Sequence, residues 1–296
     1  MAEVTSRLLP AGRVQPWHLL EAGAGPPLLL VHGWPEYSAI WARLVPVLAG
    51  RHRLLMPDLP GFGASADPNH GRPAENMGPA ELAADLLALI EALGLERVGV
   101  VTHDIGGFVV QELARLAPHR LSGIFLFDCA TPGIGPRWRD ADRVNEIWYQ
   151  SFHQQPFAAQ LVGASREACR AYFGHFLRHW AHRPEAFSDA DVERWVDCHM
   201  QPGRVQAGFN WYRSVNAARL RVMRGEAPPP TPIQLPARCL WPLHDALMRP
   251  DWAEGLAEVF PGIQVDFCEA GHFPHWEIPE VAGAAIAAFF SQVASA

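Results

Sequence analysis

An aspartate at a strand-to-helix junction is the first residue that could do chemistry. Asp104 lies in the segment VTHDIGG (101–107), where a buried apolar strand runs into an amphipathic helix. Gly106 and Gly107 permit a sharp turn that would push the side chain of residue 104 outward. A helix N-terminus favours negative charge, so this carboxylate is expected to stay ionised and to attack carbon. An ordinary helix N-cap aspartate is the alternative interpretation.

Three more polar residues each follow a predicted strand and could complete such a site. His272 follows the last strand, Asp245 follows the strand before it, and Asp128 ends the strand IFLFD (124–128). Ligands bind at the carboxyl edge of open parallel sheets, which favours a functional role for this histidine. His272 would be the general base, oriented by Asp245. Asp128 is the rival for the role of Asp245, and the sequence does not decide between them.

A tight turn after the first strong strand could supply backbone donors. The segment HGWP (32–35) places a proline after a bulky residue, where a cis peptide bond is possible. Such a turn can aim the N–H of Trp34 into the site as half of an oxyanion hole. The N–H of Ile105, at the start of the helix after Asp104, would be the other half. A plain strand-to-helix loop is the alternative.

Two other patterns are interpreted as structural. DLPGFG (58–63) lacks a full GxGxxG pattern and is expected to be a turn. His175, His179 and His182 have spacing that could suit a metal, but arginines among them favour a polar helix face over a zinc site. We therefore expect no metal and no cofactor.

The elements that must position these residues alternate along the chain. Short apolar runs predict strands at 28–32, 53–56, 98–102, 124–128, 238–241 and 265–268. Amphipathic segments predict helices at 40–48, 79–93, 106–116, 252–259 and 279–294. Most of the strands are apolar throughout, as in a parallel sheet that is covered on both faces. The pattern predicts an α/β fold with a doubly wound, mostly parallel sheet.

The alternation stops between residues 131 and 236. This stretch is helical in pattern, poor in strands, and ends in the proline-rich connector APPPTPIQLP (227–236). We predict an all-helical insertion, the lid segment (131–236), between two strands of one sheet. The core would then comprise residues 1–130 and 237–296.

Composition limits the classes of function. The 296 residues are 49% hydrophobic and 19% charged, which is globular, and the formal charge of −7 argues against a nucleic-acid binder. All basic residues are arginine, so a lysine Schiff base, a P-loop lysine and pyridoxal phosphate chemistry are excluded. The five cysteines are widely spaced, which favours a reducing compartment. We find no targeting or spanning segment and expect a cytoplasmic protein.

The whole chain resembles the epoxide hydrolase and haloalkane dehalogenase group of the α/β-hydrolases. The similarity runs from LLLVHGWPEYSAIW and MPDLPGFGASADP through VTHDIGG to GHFPHWEIPE. The order Asp104, Asp245, His272 is the nucleophile, acid and base order of these enzymes. The resemblance implies an α/β-hydrolase fold with a helical cap and a covalent mechanism without cofactor.

Three positions separate the dehalogenases of this group from this chain. Haloalkane dehalogenases usually have tryptophan after the nucleophile and asparagine after the His-Gly pair, where this chain has Ile105 and Trp34. Fluoroacetate dehalogenases have arginines at the positions of Ile105 and Phe108. The groups that bind halide or carboxylate in those enzymes are therefore missing. Epoxide hydrolase is the favoured prediction, and a haloalkane or haloacid dehalogenase is the alternative.

Two lid tyrosines are the further residues that the resemblance implies. Tyr212 lies in NWYR (210–213) and Tyr149 in WYQSFHQQP (148–156), both similar to family segments whose tyrosines hydrogen-bond the epoxide oxygen. The second segment has one inserted residue near 152–156. Packing in a lid core is the alternative role for both tyrosines.

The implied reaction converts an epoxide and water to a diol through an ester on Asp104. We expect an apolar, aromatic pocket that takes apolar or aryl epoxides, and a homodimer is compatible with the sequence. The predicted pocket residues are Phe108, Trp148 and Trp211.

Overall fold

The computed structural model describes residues 3–129 and 131–295. Eight strands form one sheet. They are β1 (Val4–Ala11), β2 (Val14–Ala22), β3 (Pro27–Val31), β4 (Arg53–Pro57), β5 (Val98–His103), β6 (Leu121–Phe127), β7 (Ala237–Pro242) and β8 (Gln264–Cys268). Their order across the sheet is β1-β2-β4-β3-β5-β6-β7-β8.

The six strands β3 to β8 are parallel to one another. Strands β1 and β2 extend the sheet beyond β4 and pair in antiparallel fashion. Strands β3 to β6 are buried along almost their whole length, as expected for strands covered on both faces. The six predicted strands correspond to β3 through β8. The predicted α/β-hydrolase fold class, with its mostly parallel sheet, is confirmed.

The β1–β2 hairpin was not predicted from the sequence. These strands lack a continuous apolar run because β1 is the exposed edge of the sheet and β2 alternates between buried and exposed residues. Each also contains a proline, which is tolerated at sheet edges but weakens a strand pattern.

Helices cover both faces of the sheet and fill the lid segment. They are α1 (Val45–Leu48), α2 (Pro79–Ala92), α3 (Ile105–Leu116), α4 (Trp148–Phe152), α5 (Ala158–Val162), α6 (Arg166–His179), α7 (Asp189–His199), α8 (Arg204–Arg224), α9 (Leu256–Val259), α10 (Pro274–Glu277) and α11 (Pro279–Ser295). Short 3-10 helices lie at Ser38–Arg43, Pro118–Arg120, Pro132–Arg139, Pro184–Ala186 and Pro250–Gly255. No helix in the described residues is both long and apolar enough to cross a membrane.

Two predicted helices are each divided in the structure. The segment predicted at 40–48 is a 3-10 turn followed by α1, and Pro46 lies in the first turn of α1. The segment predicted at 252–259 is likewise a 3-10 turn followed by α9. The hydrophobic period of these segments indicated a buried helical face but not the change from 3-10 to α geometry.

Helices α4 to α8 lie between β6 and β7, and the described part of the lid segment contains no strand. Residue 130, where the predicted core ends, lies outside the described residues. Helix α8 has 21 residues and ends at Gly225, which has a left-handed φ of 75°. This helix and α4 carry the two predicted tyrosines.

Trp34 joins the lid segment to the sheet. Its side chain is buried and stacks on Tyr149 with ring centroids 5.2 Å apart and planes 1° from parallel. Trp180 and Tyr212 approach it edge-on at 5.7 and 5.4 Å. Such aromatic packing stabilises beyond the area that it buries. It fixes both tyrosines relative to the loop after β3.

Candidate active site

Asp104 lies at a strained turn between β5 and α3. Its backbone has φ 49° and ψ −124°, a conformation that is costly for a residue with a side chain. A Cβ on Gly106 would be 2.6 Å from the carbonyl oxygen of His32, and one on Gly107 would be 2.3 Å from Cys129 Sγ. Glycine at these two positions therefore allows α3 to start close against its neighbours.

Backbone N–H groups hold the Asp104 carboxylate. The N–H of Trp34 donates to Oδ1 at 2.8 Å, and the N–H of Ile105 also interacts with the carboxylate. A Cβ on Gly33 would be 2.5 Å from that of Asp104, so only glycine permits this approach. The Trp34–Pro35 peptide bond is cis, as expected. The structure thus brings together the two N–H groups predicted for an oxyanion hole.

His272 faces the other oxygen of Asp104. Its Nε2 atom lies 3.8 Å from Asp104 Oδ2, which is beyond hydrogen-bond distance. Its backbone N–H donates to the carbonyl of Trp180 at 2.8 Å, which holds the loop after β8 against the lid segment. The imidazole is completely buried.

Both candidate acids approach the remaining nitrogen of His272. Nδ1 lies 3.1 Å from Asp245 Oδ2 and 3.0 Å from Asp128 Oδ2, and the Asp245 contact has the geometry of a hydrogen bond. The N–H of Leu247 donates to Asp245 Oδ1 at 2.7 Å and holds that side chain in place. The sequence left a choice between two acids, and the structure places both against one imidazole.

The pKa values of the two carboxylates are shifted in opposite directions. Burial and the neighbouring Asp128 raise the pKa of Asp245 to about 7 against the opposing effect of His272. Burial also acts to raise the pKa of Asp128, but His272 and His103 outweigh it and hold that pKa well below its usual value. Burial acts to lower the pKa of His272, and the two carboxylates raise it well above 6.5. Asp128 is therefore the ionised acid at neutral pH, with Asp245 near its midpoint.

The site continues into a buried chain of histidines and acids that the sequence analysis did not identify. His103 Nε2 lies 3.0 Å from Asp128 Oδ1, and its Nδ1 lies 3.0 Å from Glu36 Oε1. Glu36 also contacts His275 Nε2 at 3.2 Å and accepts from the N–H of Gly33 at 2.6 Å. This buried network of side chains thus links His272 to the loop of residues 32–36 after β3, called the oxyanion loop below. Polar residues at the end of β5 and just after HGWP were its signal in the sequence.

In the described residues, side chains that could bind a metal come together in two places, both within this buried network of histidines and acids. One group is Glu36, His103 and His275, and the other is His103, Asp128 and His272. Each carboxylate already lies within ion-pair distance of imidazole nitrogens, so we interpret both groups as parts of one buried network of charged and polar side chains. The stretch with His175 and His179 instead has the two rings stacked, with His179 bonded to Glu146 at 2.7 Å.

A cavity of about 410 Å³ opens above Asp104. Its walls are mostly apolar. Predicted residues Ile105, Phe108, Tyr149, Trp211 and Tyr212 line it, together with Trp138, Val215, Val222, Met223 and Met248. The carboxylate and both predicted tyrosines therefore face one space that can hold a small molecule.

The two tyrosines meet at nearly a right angle. Their ring centroids are 5.4 Å apart and their hydroxyl groups interact. Gln150 Nε2 donates to the Tyr149 oxygen at 3.3 Å, which leaves the Tyr149 proton free to be donated. Burial raises the pKa of both phenols, and the nearby Asp104 carboxylate raises it further. They remain protonated donors at physiological pH.

The structure corrects one predicted pocket residue, Trp148. Its side chain is 43% exposed and stacks on Phe176 with centroids 5.8 Å apart, on the outer side of α4. Tyr149, the next residue, points inward instead. Adjacent helical residues point in directions about 100° apart, and α4 is docked so that Tyr149 faces the cavity while Trp148 lies outside its lining. The Trp34 side chain packs against the lid segment and is not part of the cavity lining.

DLPGFG is a structural turn, as predicted. Asp58 accepts from the N–H groups of Ser38 at 2.6 Å and Ala64 at 2.8 Å, and from His18 Nδ1 at 2.7 Å. A Cβ on Gly63 would lie within 2.0 Å of the Asp58 carboxylate carbon. This turn braces the loop after β4 against the oxyanion loop.

The family model for the alpha/beta hydrolase fold matches residues 26–279, and the chain belongs to this family. Within it, the chain is similar to a soluble epoxide hydrolase of Corynebacterium sp. (strain C12), with 30% identity over 273 residues, 89% of each chain. A fluoroacetate dehalogenase of Burkholderia sp. is 28% identical over 196 residues, 65% of this chain and 63% of that protein. The solved structure of the epoxide hydrolase CorEH without ligand superimposes with a TM-score of 0.81 at 25% identity, covering 98% of this chain and 100% of that one.

Proposed function

We propose that this protein is an epoxide hydrolase that forms vicinal diols through a covalent ester on Asp104. One observation carries the proposal: the Asp104 carboxylate and the hydroxyl-bearing Tyr149 and Tyr212 line the same apolar cavity. Opening an epoxide needs a nucleophile behind a ring carbon and acid donors at the ring oxygen, and these three side chains supply both.

In the first half-reaction, Asp104 Oδ2 attacks a ring carbon from the back. The carbon–oxygen bond of the epoxide breaks, and the electron pair moves to the ring oxygen. Tyr149 and Tyr212 donate hydrogen bonds to this oxygen and protonate it. The contact between Trp34 N–H and Oδ1 leaves Oδ2 as the attacking atom.

In the second half-reaction, His272 removes a proton from a water that attacks the ester carbonyl. Esterification removes the negative charge of Asp104, which lies 3.8 Å from Nε2, so the neutral imidazole that accepts a proton forms more readily at this step. The N–H groups of Trp34 and Ile105 stabilise the oxyanion. The acyl–oxygen bond then breaks, and the imidazolium of His272 returns its proton to the departing oxygen, so the diol leaves. Asp104 retains one oxygen from water, and the second proton of that water restores the tyrosine that protonated the ring oxygen.

A dehalogenase is the competing function, since a fluoroacetate dehalogenase is among the similar proteins. Both classes use an aspartate nucleophile. The cavity offers Ile105 and Phe108 next to Asp104, and neither side chain can donate to a halide or a carboxylate. The paired tyrosine hydroxyls favour an epoxide instead.

The test is diol formation from styrene oxide, with halide release from 1,2-dibromoethane and fluoroacetate measured in parallel. Wild type and Asp104→Ala are compared, and a single turnover is run with excess enzyme in ¹⁸O-labelled water. We expect diol from wild type alone, no halide, and a first-turnover diol whose new oxygen is unlabelled because it comes from Asp104. Halide without diol would establish a dehalogenase, and a labelled first-turnover diol would contradict the covalent mechanism.

A further inference from the structure

Among the residues that the structure describes, Arg219 lines the cavity without a carboxylate in ion-pair contact. Arg219 lies on α8, seven residues or about 10 Å along the helix axis from Tyr212. Tyr212, Val215, Arg219 and Val222 follow one another at helical spacing and all line the cavity. The guanidinium is half-buried in a wall that is otherwise mostly apolar.

The partners of Arg219 in the described residues are neutral. Nη1 donates to Gln150 Oε1 at 3.1 Å and approaches Met223 Sδ at 4.0 Å, and Nη2 donates to Asn216 Oδ1 at 2.9 Å. Nε is buried and has no hydrogen-bond partner in the described residues. Burial lowers the pKa of Arg219, and the nearby groups that oppose this effect are Tyr149 and Tyr212. A partly desolvated cation of this kind is costly unless an anion compensates it.

Most other lid arginines have carboxylates beside them. Arg166, Arg170, Arg178 and Arg194 each pair with an aspartate or glutamate. The cavity is lined by three carboxylates, Asp104, Glu75 and Glu81, and none of them pairs with Arg219 in the described residues. Asp104 accepts from the Trp34 N–H instead, and the two glutamates are exposed. The positive charge facing the cavity is therefore not neutralised by the wall.

Gln150 lies between the Arg219 guanidinium and the Tyr149 hydroxyl. Its Oε1 accepts from Arg219 at 3.1 Å, and its Nε2 donates to the Tyr149 oxygen at 3.3 Å. One amide group thus separates the guanidinium from a hydroxyl that would bind the ring oxygen. A substrate anion at Arg219 must lie several bonds from the oxirane, with apolar atoms against Phe108 and Trp211 between them.

We propose that Arg219 binds a carboxylate of the substrate, so that the substrate class is epoxides carrying a carboxylate across an aryl or similar apolar spacer. This inference rests on the proposed epoxide hydrolase function. It revises the expectation of wholly apolar substrates, because the planar guanidinium fork suits a carboxylate better than any neutral group in the cavity does.

The test compares 4-carboxystyrene oxide with its neutral isostere, 4-carbamoylstyrene oxide, and with styrene oxide. Wild type is measured beside Arg219→Gln. Arg213→Gln is the matched control, since Arg213 is also half-buried on α8 with an unpartnered Nε but does not line the cavity. The readout is the ratio of kcat/KM for the carboxylate to that for the carboxamide.

We expect wild type to favour the carboxylate by about 10- to 100-fold, the range for a hydrogen-bonded charged group. Arg219→Gln should bring the ratio of kcat/KM values close to one, and Arg213→Gln should keep the wild-type ratio. Diol from styrene oxide with a wild-type ratio near one, or a ratio unchanged in Arg219→Gln, would overturn the proposal for Arg219 while leaving the hydrolase function in place.

A binding experiment distinguishes the carboxylate site from the hydrolase function if no epoxide is turned over. The unreactive acid 4-ethylbenzoate and its amide, 4-ethylbenzamide, are titrated into wild type and Arg219→Gln by calorimetry. Tighter binding of the acid to wild type, lost in Arg219→Gln, would support the carboxylate site even if the reaction were assigned wrongly. Equal binding of acid and amide to wild type would contradict it.

Discussion

Asp128 and Asp245, which follow adjacent strands β6 and β7, both reach the same nitrogen of His272, at 3.0 and 3.1 Å. Two carboxylates this close do not both ionise readily, and the raised pKa of Asp245, about 7, reflects that repulsion together with burial. The base of the proposed mechanism therefore has two acids that can orient it.

Substitution of either acid alone should leave an orienting carboxylate in place. In Asp245→Asn, Asp128 remains beside Nδ1, and in Asp128→Asn the pKa of Asp245 should fall because its like-charged neighbour is gone. We expect each single variant to hydrolyse the ester within about tenfold of wild type, and the double variant to lose about 10³- to 10⁴-fold, the loss seen when a triad acid is absent. Quenched-flow mass spectrometry of the alkyl-enzyme measures this step directly.

The double variant should accumulate ester on Asp104, because alkylation does not need the base. If one single variant is as slow as the double variant, that residue is the sole acid and the shared arrangement has no role in catalysis.

The tyrosine hydroxyls should act on the first half-reaction. Tyr149→Phe and Tyr212→Phe each remove one donor from the ring oxygen, and we expect about a 10²-fold loss in the alkylation rate from each. Tyr172→Phe is the control, since the Tyr172 hydroxyl bonds His153 at 2.7 Å and does not line the cavity. Pre-steady-state fluorescence of the lid tryptophans would follow alkylation.

A Tyr172→Phe loss equal to that of the other two would indicate a packing effect instead. Unchanged alkylation in both Tyr149→Phe and Tyr212→Phe would remove the tyrosines from the proposed mechanism.

The turn that holds Asp104 should tolerate no added methyl group. In Gly106→Ala, the new Cβ would be 2.6 Å from the His32 carbonyl oxygen and 2.7 Å from that of Val31, and neither backbone atom can move aside cheaply. We expect the free energy of unfolding to fall by about 2–3 kcal/mol and the activity to be lost with it. Urea denaturation measures the first quantity.

Gly50→Ala is the matched control, because a Cβ there meets nothing within 4 Å and its φ is not left-handed. It should lie within about 0.5 kcal/mol of wild type. Equal stability of the two variants would mean that α3 can shift away from the oxyanion loop.

Local patterns in the sequence predicted the parts of the site that depend on one turn. Asp104 with its glycines is such a part, because the turn's steric requirements fall on consecutive residues. The strands β3 to β6 were also predictable, since burial on both faces makes them almost continuously apolar. The edge hairpin β1–β2 was missed because it has no such run.

The orientation of lid side chains was not predictable in the same way. Trp148 and Tyr149 are adjacent, and only the docking of α4 decides which of them faces the cavity. Arg219 and Gln150 lie far apart in the chain, and their contact depends on how α8 packs against α4. The buried link from Glu36 to His103 likewise requires two separate loops to meet, which no local spacing encodes.

His103 makes the stability of this buried chain depend on pH. Burial alone would lower its pKa, but Glu36 and Asp128 raise it from 6.5 to about 10. The folded state therefore binds a proton that the unfolded state releases between these values. The stabilisation is complete below pH 6.5 and is lost as pH rises through 10, so the free energy of unfolding should fall over this window.

The measurement is urea unfolding of wild type and His103→Gln at several pH values from 6 to 10. We expect the wild-type free energy of unfolding to fall more steeply with pH than that of His103→Gln, whatever the two values are at pH 7. The exposed His119→Gln serves as the control and should keep the wild-type slope. Parallel slopes for wild type and His103→Gln would mean that His103 is neutral in the folded protein. Glu36 and Asp128 would then have to be stabilised by His275, His272 and backbone donors instead.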